Sequence, residues 1–283
     1  MRQPGRHFLR YGAAIIRTAA WAVLWSLYAQ VNVADLVKRS SENTERNWKE
    51  APHYVYTERD IIEKLNGSGN PKTRTVKTYE VLIIDGSNYN KLIAITDRPL
   101  SEQEHRAEDQ KLARERARRK GESPAERRKR IARYQRERQQ DHVMMHEMIN
   151  AFNFKMVGRE TVRGRSCWVL DATPKPGYVP VNRDAKVLTG MKGKLWIDEQ
   201  EVQWVKVEAE VVKPVSFYAV AIVTPGTRFE LEQEPVGDGI WLPAHFAVRV
   251  NSTVLAIFSR NSFDDETYSN YRRAGAESEH FSK

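Results

Sequence analysis

Gly193-Lys194-Leu195-Trp196-Ile197-Asp198, followed across Glu199 to Val202 by Gln203-Trp204-Val205-Lys206-Val207-Glu208-Ala209-Glu210-Val211-Val212, is the stretch that decides the fold. Apolar and polar residues alternate with a period of two on both sides of a short polar turn, the pattern of an antiparallel hairpin with one buried face. Setting Leu195 opposite Val205 places Leu195, Val205, Val207, Ala209 and Val211 on the apolar face. Trp196 and Trp204 then meet on the other, beside Lys206, Glu208 and Glu210.

The same alternation recurs in both directions from this hairpin. Upstream it predicts strands over Tyr54 to Leu65, Thr75 to Asp85 and Tyr89 to Thr96, the last two joined across Gly86-Ser87-Asn88. Phe154 to Val162 and Ser166 to Ala172 follow, joined through Arg163-Gly164-Arg165. Downstream, Thr227 to Leu231 carries Phe229 and Leu231 on one side. Ile240 to Val250 carries Leu242, Phe246, Val248 and Val250, Val254 to Ser262 closes the sheet, and a polar tail from 272 to 283 is expected to be loose. Nine to eleven such strands with one apolar face must roll up, stack or wrap around something. A short amphipathic helix over Ala34 to Trp48 and the apolar run Val143 to Phe152 can cover a concave face only in part, which leaves a cavity as the natural ligand site. Its expected lining is Leu195, Val205, Val207, Val211, Phe229, Leu231, Phe246 and Val248 from the sheet, with Met144, Met145 and Met148 from the helix. Methionine suits such a place because its flexible thioether adapts to varied apolar shapes, although a methionine face is also ordinary core.

The formal charge of the 283 residues is +9, but it is unevenly placed. His105 to Arg138 holds fourteen Lys/Arg against six Asp/Glu, and four arginines precede Ala29, so the remainder carries a net −3. Basicity is a property of an insert at 101–152, not of the domain around it. Ser101-Glu102-Gln103-Glu104 and Ser123-Pro124-Ala125-Glu126 match the capping box and predict two helices, separated at Gly121. With few apolar residues between Ser101 and Gln140 the pair is expected to project into solvent. Arg127, Arg128, Lys129 and Arg130 are the residues expected to face an anionic surface, such as lipid headgroups. No nucleic-acid recognition motif accompanies the charge, and nucleic acid is not an expected partner.

Arg2, Arg6 and Arg10 before an apolar run that Arg17 splits read as a cleavable secretory signal over residues 1–29, with the charge-free part shorter than the roughly 20 residues a spanning helix needs. An uncleaved N-terminal anchor is the alternative. The expected location is the periplasm, and residues 30–271 are expected to form a single domain. The only cysteine, Cys167, is far from the signal, so neither N-terminal lipidation nor an internal disulfide is expected. Within Ser166-Cys167-Trp168-Val169-Leu170 it reads as a small buried hydrophobe.

The order of elements, together with Val157-Gly158-Arg159-Glu160-Thr161-Val162-Arg163-Gly164-Arg165-Ser166-Cys167-Trp168-Val169-Leu170 and the Gly193 to Asp198 hairpin, resembles the LolA-like and LolB-like outer-membrane lipoprotein-sorting superfamily and its relatives among envelope sensors. The resemblance covers roughly Val33 to Tyr271. It implies a mainly β chain with a helical lid: a curved antiparallel sheet forming an unclosed half-barrel around a hydrophobic cavity that accepts acyl chains. The long basic helical pair departs from the compact lid of the simplest carriers. Three functions follow as expectations, in this order: a non-enzymatic carrier of lipidated or amphiphilic cargo, an envelope sensor or scaffold gripping a protein partner through the basic helices, and an esterase or glycosidase.

No catalytic residue, metal or cofactor is expected. His142 and His146 stand four apart on a predicted helix, yet Val143 occupies the place of the glutamate in H-E-x-x-H and Met145 that in H-x-x-E-H. Gly67-Ser68-Gly69 lacks the lysine of a phosphate loop, and no G-x-S-x-G elbow occurs.

Overall fold

The computed structural model describes residues 31–218, 221–254 and 258–275; the expected signal segment and residues 276–283 lie outside them. Helix α1 (Val33–Glu50) opens on Asn32, whose side-chain oxygen accepts from the backbone N–H groups of Ala34 and Asp35. Four strands follow, β1 (Tyr54–Leu65), β2 (Pro71–Ile84), β3 (Ser87–Ile95) and β4 (Arg98–Pro99), then helices α2 (Glu102–Lys120) and α3 (Pro124–Ala151). After them come β5 (Phe152–Val162), β6 (Arg165–Pro174), a 3-10 turn (Asp184–Gly190), β7 (Met191–Asp198), β8 (Trp204–Val211), β9 (Val215–Tyr218), β10 (Ala221–Val223), β11 (Arg228–Gly237), β12 (Ile240–Val254) and β13 (Phe258–Arg273).

Every ladder is antiparallel, and the strands form one sheet in the order β4-β3-β2-β1-β13-β12-β11-β8-β7-β6-β5, with β10 and β9 attached beside β12. Strands β4 and β5 are the two edges, so the sheet is not closed into a barrel. The unclosed half-barrel with helices over its hollow side is the architecture the sequence led us to expect.

Turn chemistry sets much of the register. Asp85-Gly86 and Arg163-Gly164 both have positive φ at each residue, the two-residue geometry whose twist matches the flanking strands. The first hairpin is therefore tighter than expected: Ser87 already pairs with Ile84, and Asn88 belongs to β3. In β7, Gly193 allows close approach, since a Cβ there would run into the carbonyl oxygen of Glu208.

The deciding hairpin exists, but its register differs from the expected one. Leu195 opposes Val207, Trp196 opposes Lys206 and Ile197 opposes Trp204, with an irregularity between Trp196 and Ile197 that leaves Val205 as the extra residue. The bulge turns Val205 to the other face, where it packs with Cys167, Val169, Trp196 and Trp241. It also separates the two tryptophans. Trp196 donates its indole N–H to Glu160, whereas the buried Trp204 donates to the Ser40 hydroxyl of α1 at 3.0 Å. Cys167 is fully buried as expected, and burial pushes its thiol up to about 11.

Strand β13 extends far beyond the expected Ser262, and pairs with β1 on one side and β12 on the other. Both of its faces are polar: Asp264, Glu266 and Tyr268 alternate with Asp265, Thr267 and Ser269, so no apolar period announces it.

Both capping boxes of the insert are present, with Ser101–Glu104 and Ser123–Glu126 satisfying each other's orphan donors. The expectation that the pair stands free of the sheet needs correction. Arg119 donates to the carbonyl oxygens of Ile84 and Ser87, while Arg130, 8% exposed, donates to the Ser87 hydroxyl, to the Asp85 carbonyl and to Glu122. The turn residues thus find their donors in the helices. Arg130→Ala should destabilise the protein by about 3 kcal/mol in urea unfolding, because it strands the buried Glu122 carboxylate with only Arg118 beside it. Arg128→Ala, at an exposed position, should stay within about 0.5 kcal/mol of the parent.

Candidate functional site

The connection from β4 to β5 joins opposite edges of the sheet, and its second helix passes over the face that holds the cavity. Helix α3 has 28 residues and is about 42 Å long. Its C-terminal half roofs a cavity of about 740 Å³, within the roughly 300–1,000 Å³ of ligand pockets. The floor is built from Phe229 and Leu231 of β11 and Phe246, Val248 and Val250 of β12. The roof comprises Met144, Met145 and Met148 of α3, Trp48 of α1, and Val187 and Leu188 of the 3-10 turn. Phe229 and Phe246 meet edge to face at 5.3 Å between ring centres.

Seven of the expected lining residues are brought together there: Met144, Met145, Met148, Phe229, Leu231, Phe246 and Val248. Leu195, Val205, Val207 and Val211 are not among the lining residues. All four are buried, Val205 on the opposite face, and Leu195 and Val207 as a cross-strand pair beside Leu231. Leu195, Val207 and Val211 support the floor from the adjoining strands instead of forming it.

His142 and His146 do not converge. The His142 ring stacks on Trp48 at 4.1 Å and its Nε2 lies 2.6 Å from Glu45, joining α3 to α1, while His146 pairs with Asn150. Arg138 adds to that joint, its guanidinium 4.5 Å above the Trp48 ring and bonded to the Trp48 carbonyl. These contacts fasten one wall of the cavity.

The part of the site missed by hydrophobic periodicity is polar. Gln233 of β11, Tyr268 and Glu266 of β13, and Asp184 also line the cavity. The β1–β13 register sets Glu58 opposite Tyr268 and Asp60 opposite Glu266, so the same face continues into β1 as a row of carboxyl groups. Tyr268 donates to Glu266, and the rings of Tyr268 and Tyr271 lie 5.9 and 5.2 Å from Tyr56. Burial, then the charges of Asp60 and Glu266, push Glu58 up to about 8. Burial also raises Asp60, against the pull of Lys77 across from it on β2. Only a two-strand pairing partner for each acid could have exposed this row, and β13 carried no such signal in sequence.

On the outer side, Arg128 and Lys129 are exposed and Arg127 is half-buried. Lys129, Arg118, Arg133 and Arg136 line a shallow basic depression of about 480 Å³ between the helices. Arg130 borders the depression as well, but its guanidinium is engaged by Ser87, Asp85 and Glu122.

No protein-family model and no curated protein matches the sequence. Among solved structures, the chain is similar to an outer membrane lipoprotein-sorting protein domain from Vibrio parahaemolyticus, with 11% identity over 84% of this chain and 93% of the other, at a TM-score of 0.32. It is also similar to a LolA superfamily protein from Nitrosomonas europaea, with 10% identity over 89% and 98% and a TM-score of 0.31.

Glu58 supplies a pH signature of the acidic row. Its carboxyl holds a proton in the folded state up to about pH 8 but loses it near pH 4.5 when unfolded, so the folded state binds more protons between the two values and stability falls as pH rises through that window. Glu58→Gln should remove this share of the decline. Thermal unfolding of parent and variant from pH 5 to pH 9 is expected to show a melting-temperature difference that grows in favour of the variant; a constant difference would refute the assignment.

Proposed function

We propose that the protein binds the acyl part of a lipidated or amphiphilic cargo in the concave cavity and carries it without catalysing a reaction. The observation that supports this most directly is the lining itself: a phenylalanine pair and aliphatic side chains on a rigid sheet, facing three methionines on a helix. Such a surface needs no polar motif to bind a chain, because each buried methylene contributes about 0.8 kcal/mol. Methionines on the roof adapt to chains of differing length and branching. Residues 1–29 acting as an export signal, a periplasmic location and a single ligand-binding domain over 30–271 belong to this proposal.

A second reading has its own support in the exposed Arg128 and Lys129 and the basic depression beside them, which suit an anionic bilayer or an acidic envelope protein. It complements the first, since the basic surface and the cavity lie on opposite ends of the same helix α3.

Native mass spectrometry of the protein exported from bacteria, with organic extraction of whatever is released, tests the carrier reading. Acyl lipid or lipopeptide is expected in the parent. Phe246→Glu and Leu231→Glu place a charge among apolar groups and should weaken binding of a fluorescent fatty-acyl probe by at least about tenfold. Val205→Ala, remote from the cavity, should cost roughly 1–2 kcal/mol of stability and leave probe binding in place. A lipid-free parent that also fails to take up the probe would overturn the proposal.

A further inference from the structure

Gln233 stands out among the groups lining the cavity. It is 7% exposed, its Oε1 atom is buried, and that oxygen has no hydrogen-bond donor among the described residues. Buried acceptors in this condition are rare in folded proteins and call for a reason. An irregularity in the ladder between Glu232 and Gln233 sets Gln233 against Pro243. Tyr268 and Glu266, two strands away on β13, line the same cavity, and the β1–β13 ladder sets Glu58 beside Tyr268 and Asp60 beside Glu266. The cavity wall therefore presents an unmet acceptor, the Tyr268 ring and the Glu266 carboxyl group, with Glu58 and Asp60 behind them on β1.

We propose that this polar row is a subsite for a primary ammonium group at the head of an acyl ligand. The inference rests on the cavity reading above and gives the cargo a chemical class. An ammonium supplies a donor that the Gln233 oxygen can accept, and its charge is favoured by Glu266 and the Tyr268 ring, which line the same cavity. A carboxylate or phosphate monoester head meets the opposite: repulsion from Asp60 and Glu266, and no donor for Gln233. The bases around the cavity do not cancel it: His142, which lines it, is paired with Glu45, and Arg138 lies over the Trp48 ring. Lys77 faces Asp60 from β2, and Arg228, at the far end of the cavity beside Phe229, is paired with Glu210. Burial first, and then the neighbouring charges of Asp60 and Glu266, raise the Glu58 carboxyl; a bound cation would relieve the second of these.

The test is displacement of a fluorescent fatty-acyl probe from the full-length protein at pH 7.5 by dodecylamine, lauric acid and 1-dodecanol, three single chains that differ only in the head. Dodecylamine is expected to compete at a concentration at least about tenfold below that of lauric acid, as suits a charge-assisted hydrogen bond. Gln233→Leu and Glu266→Gln should each shrink the ratio of amine to alcohol affinity. Lysophosphatidylethanolamine preferred over lysophosphatidylglycerol would identify a phospholipid headgroup as the source of the amine; preference for dodecylamine with neither lysolipid bound would identify a single-chain amine. Dodecanol binding with laurate equal to or better than the amine would overturn the inference and leave the cavity reading standing. An amine preference unchanged in Gln233→Leu and Glu266→Gln would also overturn it, assigning the Gln233 oxygen to a trapped water. Failure of all three chains to displace a probe, or of the probe to bind, removes the cavity reading and this inference with it.

Discussion

The ladder between β1 and β13 is the pairing on which the rest of the structure depends. It joins the strand that follows α1 to the last described strand, at a separation of about two hundred residues, and without it the sheet divides into a four-stranded piece and a larger one. So distant a contact carries a large loop-closure cost and little local help. Its length offsets that cost, since register is kept from Tyr54–Arg273 to Leu65–Asn261 with a single irregularity near Val55. The same pairing fixes the chemistry of the hollow side. By matching Glu58 to Tyr268 and Asp60 to Glu266, it gathers acids that stand far apart in sequence into one row.

The topology then constrains the helices. A chain that leaves the sheet at one edge and re-enters at the other must cross either the hollow or the outer face, and α3 crosses the hollow one. Its sequence is divided accordingly. The first half carries the arginines and the second the methionines, and the change occurs where the helix passes from the β2–β3 turn to the space above β11 and β12. Arg119 and Arg130 anchor the near end to the carbonyl groups of that turn, and Ala151 and Phe152, both buried, anchor the far end at the start of β5. A roof held at both ends and joined to α1 through Trp48, His142 and Arg138 is positioned as firmly as the floor.

How much of this could be read in advance follows from where the information resides. Strands β6, β7, β8, β11 and β12 were readable because one face of each is apolar, β1, β2, β3 and β5 because turn residues bound their runs, and α2 and α3 because capping boxes are local. The methionine roof and the Phe229, Leu231, Phe246 and Val248 floor followed from those periods. The bulge at Val205 was not readable: one extra residue leaves alternation intact in sequence while reversing the faces beyond it. Arg130 differs from Arg128 by a position on a helix that is charged all round, and only the β2–β3 turn, distant in sequence, decides which one is buried. Strand β13 is polar on both faces because one side meets the acidic row and the other the outside, as in the His245–Asp265 pair at 2.9 Å.

The hollow face is thus two surfaces in one. Across β11 and β12 it is aliphatic and aromatic; across β13 and β1 it turns to carboxyl and phenol groups within a single strand spacing, roughly 5 Å. A cavity meant only for hydrocarbon gains nothing from the second surface, because buried carboxyl groups are costly and Glu58 retains a proton to lessen that cost. Nor does the acidic row stabilise the sheet: opposed acids on adjacent strands repel, and only Lys77 stands across from one of them with opposite charge. A feature that is costly in isolation and adjoins a pocket of ligand size is the pattern expected where stability has been traded for recognition. On the proposed reading, the polar part of a ligand sits over β13, with its chain extending toward β11 beneath the methionines.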